Sequence, residues 1–193
     1  MIKQCIFVIG LLATTPVYAD IEDPCNDLWF SRNAMLDQAG YCFANPLGKA
    51  VFDNLDCTTK QPVISTEVRL QIAAIRKIEK ADSSEFYDLC NVDTSKRVLD
   101  LEAIDLRKQL DFQPATDGGT GICFGYLGTN IPLYSAPWKG ARLVGVIRTG
   151  DNMTFSHLDW KDWSFSLIGS PDGWTAAGWY KEHIGERCKT FAG

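Results

Sequence analysis

Apolar residues recur at helical spacing through the first half of the chain and give way to short runs in the second. Leu28, Met35, Leu36 and Ala39 fall near one face of a helix predicted over residues 27–39. Gly40 is placed to end it, because glycine accepts the backbone conformation of a helix C-terminus. Asn45-Pro46 reads as a second start: Asn caps, and Pro is tolerated in the first turn. Leu47, Ala50, Val51 and Leu55 follow on one stripe. Ser65-Thr66 opens a third helix, with Val68, Ile72, Ile75 and Ile78 inward and Arg69, Arg76, Lys77 and Lys80 outward. The spacing of Leu99, Ala103, Leu106 and Leu110 predicts a fourth, beginning near Thr94-Ser95.

The pattern changes at Asp111. Pro114, Asp117, Gly118, Gly119 and Gly121 make a breaker-rich stretch, expected as a linker over 113–121. Gly118-Gly119-Thr120-Gly121 lacks the Lys-Ser/Thr and following helix of a phosphate loop. Beyond it, short strands are predicted at 131–134, 142–147, 152–156, 163–167 and 173–176, separated by turn-rich Thr149-Gly150-Asp151 and Ser170-Pro171-Asp172-Gly173. Several short strands with regular turns suggest a small barrel. The expected fold class is α+β: a helical module over 20–112, then a small β-barrel domain over 122–193.

The N-terminus adds an export signal. Lys3 precedes an apolar run from Cys5 to Leu12, and Val17-Tyr18-Ala19 fits a small-x-small cleavage site. The run is shorter than the ~20 apolar residues needed to span a bilayer. Residues 1–19 are therefore expected to be removed, leaving Asp20 first, with no membrane insertion afterwards and a periplasmic or secreted location. The formal charge of −5 moves to −6 with the loss of Lys3, and no Lys/Arg cluster marks a nucleic-acid surface. Six of the seven cysteines remain: Cys25, Cys42, Cys57, Cys90, Cys123 and Cys188. An even count in an exported chain reads as three disulfides. Metal binding is the poorer reading, since there is no Cys-x-x-Cys pair and His157 and His183 stand isolated. No cofactor motif is present.

Two resemblances follow from the motifs. Asp27-Leu28-Trp29-Phe30-Ser31-Arg32-Asn33, then Gly40-Tyr41-Cys42-Phe43, then Asn45-Pro46 and Phe52, resemble the YARHG domain, a small extracellular bacterial module. Its naming pentapeptide stands here as Leu36-Asp37-Gln38-Ala39-Gly40, with only the glycine kept. The Gly-Tyr-Cys-Phe version is also similar to a bacterial family of unknown function that carries a variant of this domain with a C-terminal extension. Leu133-Tyr134-Ser135-Ala136-Pro137, Leu143-Val144-Gly145-Val146-Ile147, Gly150-Asp151, Trp163 and Gly173-Trp174-Thr175 resemble a bacterial SH3-like domain. Such domains bind peptidoglycan or its peptides, or act as adaptors; fold analogy does not choose among these.

Geometry then suggests a disulfide pattern. A helix over 27–39 separates its flanking Cys25 and Cys42 by about 18 Å at ~1.5 Å per residue, whereas bonded cysteines need Cα atoms within about 7 Å. An antiparallel second helix would return Cys57 to the start of the first. The expected bonds are Cys25–Cys57, Cys42–Cys90 and, between the terminal strands of an SH3-like domain, Cys123–Cys188. With no bond across the linker, the two halves are expected to loosen separately on reduction.

Five of the six tryptophans lie in the second half. Trp163 and Trp174 sit in predicted strands and read as core. Trp138 and Trp160, in predicted loops, and Tyr134 are the candidate ligand-binding residues, because aromatic platforms suit sugars and peptides. Ser156-His157 with Asp159 has no motif that would position a catalytic triad and reads as a polar loop. Arg32 falls where its helix should be apolar, and a buried ion pair with Asp53 or Asp56 is expected. The expected function is non-catalytic recognition of peptidoglycan or another envelope protein. The rivals are a secreted inhibitor or immunity-type protein, and an envelope hydrolase.

Overall fold

The computed structural model describes residues 23–81, 90–116, 118–119, 121–170, 172–182, 184–185 and 187–193. The expected cleavage after Ala19 lies outside them. Helix α1 (Pro24–Gln38) starts where the Asp23 side chain accepts from the Cys25 amide, with Pro24 in the first turn. Helix α2 (Pro46–Phe52) is capped by Asn45 on the Gly48 amide, and α3 (Thr66–Glu79) by Ser65 on the Val68 amide. The fourth helix is far shorter than expected. Only α4 (Ile104–Arg107) forms, because Ala103 takes a left-handed conformation at its start. Leu99 and Leu110 are nonetheless buried, so the apolar spacing reported burial without reporting helix.

The end of α2 decides the first disulfides. Asp53 and Asn54 both take positive φ, and the Asn54 side chain bonds the amide and the carbonyl of Phe43 at 2.9 and 2.8 Å. The chain therefore turns back after one and a half to two turns of helix, and Leu55 is exposed instead of joining the stripe. Residues 58–59 then bond back to Gly40 and Cys42, which sets Cys57 beside Cys42. Helix α3 runs antiparallel to α1: Ile72 and Leu36 line one groove near one end, and Glu79 pairs with Arg32 further along. That brings Cys90, whose amide bonds the Glu79 carbonyl, to the start of α1. The bonds are Cys25–Cys90, Cys42–Cys57 and Cys123–Cys188. They correct the expected Cys25–Cys57 and Cys42–Cys90, which assumed a second helix as long as the first. Arg32 is corrected as well: its guanidinium pairs with Glu79 at 3.0 Å rather than with Asp53 or Asp56.

The second half is an antiparallel sheet of seven strands: β1 (Ile122–Tyr126), β2 (Ile131–Tyr134), β3 (Leu143–Ile147), β4 (Asn152–Thr154), β5 (Ser164–Ser170), β6 (Gly173–Tyr180) and β7 (Cys188–Ala192). Their order is β3-β2-β6-β5-β4-β1-β7, so β3 and β7 are edges and the sheet is not closed. The expected barrel is corrected to an open sheet. Strands β1 and β7, which the apolar pattern does not reveal, pair across the sheet's end and place Cys123 and Cys188 within 5.4 Å.

Helices and sheet share one core. Leu28 and Met35 of α1 and Ile72 and Ile75 of α3 pack with Phe112, Phe165, Leu167 and Trp179. The stretch expected as a linker begins inside this core. Phe112 and Gln113 are fully buried, the amides of Asp111 and Phe112 bond the Ser135 carbonyl, and the Trp179 indole donates to the Phe112 carbonyl at 2.8 Å.

One acidic side chain sits badly in this arrangement. Burial, with Asp56 and Asp53 nearby, raises the Asp37 carboxyl to about 6, against a smaller opposing pull from Lys108. Its Oδ1 is buried without a hydrogen-bond partner. A raised folded-state pKa favours the fold below the unfolded value and penalises it as pH rises through about 6. Asp37→Asn is expected to stabilise the protein by roughly 1 kcal/mol at pH near 8, after discounting for solvent screening. The gain should vanish below pH ~4. Urea unfolding of both proteins at the two pH values measures it, and an equal effect at both would show that charge is not the cause.

Candidate functional site

A chain of buried polar groups ties the helices to the sheet. Asp27 lies on α1 one turn before Ser31, and Arg107 ends α4. Arg107, fully buried, donates from Nη1 to Asp27 Oδ2 at 2.8 Å and from Nη2 to Asp27 Oδ1 at 3.0 Å. Nη2 also donates to Ser31 Oγ at 2.6 Å, and the guanidinium lies over the Phe30 ring, 5.0 Å from its centroid. From the sheet side, His157 Nε2 meets Asp27 Oδ2 at 2.9 Å, and His157 Nδ1 meets Ser156 Oγ at 3.1 Å. Thr116 fixes that segment by donating to the Ser156 carbonyl at 2.7 Å. Burial alone would raise the Asp27 carboxyl, but the positive Arg107, with further help from His157, holds it well below the usual carboxylate range.

Ser156, His157 and Asp27 thus form a hydroxyl–imidazole–carboxylate chain. A catalytic triad needs a carboxylate that stabilises the imidazolium as it forms. Here both Asp27 oxygens already accept from Arg107, so its charge is spent on a fixed cation. The chain therefore reads as a structural staple. Nε2 faces the Asp27 carboxylate and Nδ1 the Ser156 hydroxyl, so both ring nitrogens are partnered.

The outer surface of this staple opens into a cavity of about 320 Å³. His157 and Phe165 form part of its wall, with their rings edge-to-face at 4.8 Å. Phe155 and Phe191, 5.9 Å apart, add two more aromatic faces. The polar groups around them are Asp159, Glu182, Ser164 and Tyr180. Burial, reinforced by the Asp159 charge, pushes the Tyr180 hydroxyl up in pKa, so it stays protonated and able to donate. Two exposed carboxylates beside aromatic faces suit a cationic group, which both ring faces and anions attract. Glu182 also meets Arg187 at 3.8 Å, an exposed and weak pair.

The three aromatics singled out from the sequence lie elsewhere. Trp138 and Trp160 both pack on Phe112, with centroids 5.5 and 4.9 Å from it, and Tyr134 stands edge-on to Trp163 at 5.8 Å. None of them lines the cavity at His157. Trp138 keeps the most open surface, at 38 % exposed. Trp163, just ahead of β5, and Trp174, in β6, are both partly buried against the shared core. Asp27 and Arg107 escaped the sequence reading because their contact joins residues 80 positions apart. The only available signal was an arginine in an otherwise apolar stripe.

Over residues 89–193, from the end of the helical part through the last strand, the sequence matches the model of a domain of unknown function, DUF4453. The chain belongs to that family. The family's region holds α4, the whole sheet and Arg107, His157 and the cavity. Residues 7–80 match the YARHG domain, which supplies Asp27 and Ser31. The Asp27–Arg107–His157 staple therefore fastens the YARHG part to the DUF4453 part. A comparison with curated proteins and with solved structures returns no match. The three disulfides and the YARHG match are consistent with an extracytoplasmic location. Among the described residues, no helix is long and apolar enough to cross a membrane.

Proposed function

We propose that the protein is a non-catalytic binding module of the periplasm or cell exterior, and that it holds an amine-bearing peptide of the cell wall or of another envelope protein. The observation that carries this reading is the cavity at His157, where Asp159 and Glu182 stand beside the faces of Phe155 and Phe191. Its size and mixture of aromatic walls with few polar groups match a small-ligand site. Asp27 being committed to Arg107 speaks against a hydrolase. Trp138, 38 % exposed beside Phe112, remains a candidate contact separate from this cavity.

Calorimetry with wall stem peptides, each with its side-chain amine free or acetylated, tests the reading. Binding is expected for the free amine, and acetylation should weaken it at least tenfold. Asp159→Asn together with Glu182→Gln should cost about tenfold, from two partly exposed charge contacts of roughly 0.5–1 kcal/mol each. Equal affinity for acetylated peptides, or indifference to both substitutions, would remove this site from the function.

A further inference from the structure

The outer side of α3 carries a second, oppositely charged site. A groove of about 420 Å³ runs between α3 and the end of α1, floored by Leu36, Ile64 and Ile72. Its rim is Arg69, Arg76, Lys77 and Lys80. Of the two acids on the same helix, Glu79 is taken by Arg32 and Glu67 lies in the first turn, away from Arg76 and Lys77. Arg76, Lys77 and Lys80 enter no ion pair among the described residues. Three cations on α3 and a fourth at its C-cap, Lys80, contrast with a chain whose formal charge is −5. Next to the groove, Val63 is 96 % exposed and Leu70 58 % exposed.

We infer that this face of α3 is a docking surface for an anionic phospholipid membrane. A solvated charged face would need no apolar groove under its cations and no bare Val63 and Leu70 beside them. The pairing of cations with exposed apolar side chains is what an anionic headgroup layer over hydrocarbon complements. The cations meet the phosphates, and Val63 and Leu70 enter the headgroup boundary while their stems shield the groove floor. The contact is peripheral, since α3 has 14 residues and lies along the surface of the core. The acidic remainder of the chain is repelled by the same membrane, so docking would fix the protein's orientation as well as its position. This site is independent of the cavity at His157.

Co-sedimentation of the mature protein with vesicles of equimolar phosphatidylglycerol and phosphatidylcholine, against vesicles of phosphatidylcholine alone, decides it. Binding should appear only with the anionic vesicles and should fall steeply between ~0.01 and ~1 M salt, where the screening length drops from about 30 to about 3 Å. Each cation contributes roughly a factor of five, so Lys77→Gln with Lys80→Gln should weaken binding about twentyfold. Val63→Ser with Leu70→Ser should weaken it several-fold while leaving far-UV circular dichroism unchanged. Equal binding to neutral vesicles would overturn the proposal, as would indifference to the lysine substitutions. So would binding to soluble polyphosphate with none to anionic vesicles, which would assign the groove to an anionic polymer. Asp159→Asn should bind vesicles as the parent does, which keeps this test separate from that of the peptide site.

Discussion

Replacing Arg107 by leucine is expected to destabilise the protein by about 3 to 5 kcal/mol, the cost of leaving a buried charge without its partner. Asp27 is 3 % exposed and loses two charged donors at once. Ser31 loses its donor too, and the carboxylate keeps only His157 and the long contact from the Ser31 hydroxyl at 3.3 Å. Urea unfolding near neutral pH should show a lower midpoint with little change in slope, and thermal unfolding a midpoint lower by roughly 10 °C for a chain of this size. The pH dependence gives a second readout. The folded-state pKa of Asp27 is depressed, so its contribution is present above the unfolded value near 3.9 and is lost as pH falls below it. The Arg107→Leu protein should therefore be weakened most at neutral pH and differ least from the parent in acid. Adding Asp27→Asn to Arg107→Leu removes the stranded charge and should recover part of the loss. A single-variant cost under about 1 kcal/mol, or a double variant no better than the single, would mean that the pair is not buried as described.

The disulfides give the second large effect. Non-reducing peptide maps should show Cys25 joined to Cys90, Cys42 to Cys57 and Cys123 to Cys188. The first and third close separations of 65 residues, the second only 15. Chain entropy then assigns about 4 kcal/mol to each long loop and about 3 to the short one. Together these are comparable with the ~5–15 kcal/mol total stability of a typical domain. Because the helices and the sheet share the core around Phe112 and Trp179, full reduction should unfold both in one transition rather than separately. Circular dichroism and tryptophan fluorescence followed against reductant should coincide. Two separated transitions, or a Cys25–Cys57 peptide, would contradict the packing described here.

The helix starts were legible because they depend on neighbours in sequence. Asn45-Pro46 and Ser65-Thr66 each place a side-chain acceptor within three residues of a free amide. Helix lengths were less legible. The end of α2 depends on the Asn54 side chain reaching Phe43, 11 residues back, and that contact moved Cys57 to a different partner. The candidate site was almost invisible. Trp138, Trp160 and Tyr134 stand out by residue type, yet packing around Phe112 and Trp163 governs what each can touch. The cavity draws Phe155 and Asp159, Tyr180, and Phe191 from three segments, and no spacing in the chain announces their meeting.

By itself the sequence determined the α-then-β division, the cysteines that pair and the separation of Cys25 from Cys42. These rest on local propensity, apolar period and the rigid length of a helix. Only the tertiary structure decided the first two disulfide partners, the open sheet and the burial of residues 112–116. It also decided the meeting of Asp27, Arg107 and His157. Each of these is set by contacts between residues 11 to 130 positions apart, where burial and charge pairing choose among alternatives that local patterns leave equal.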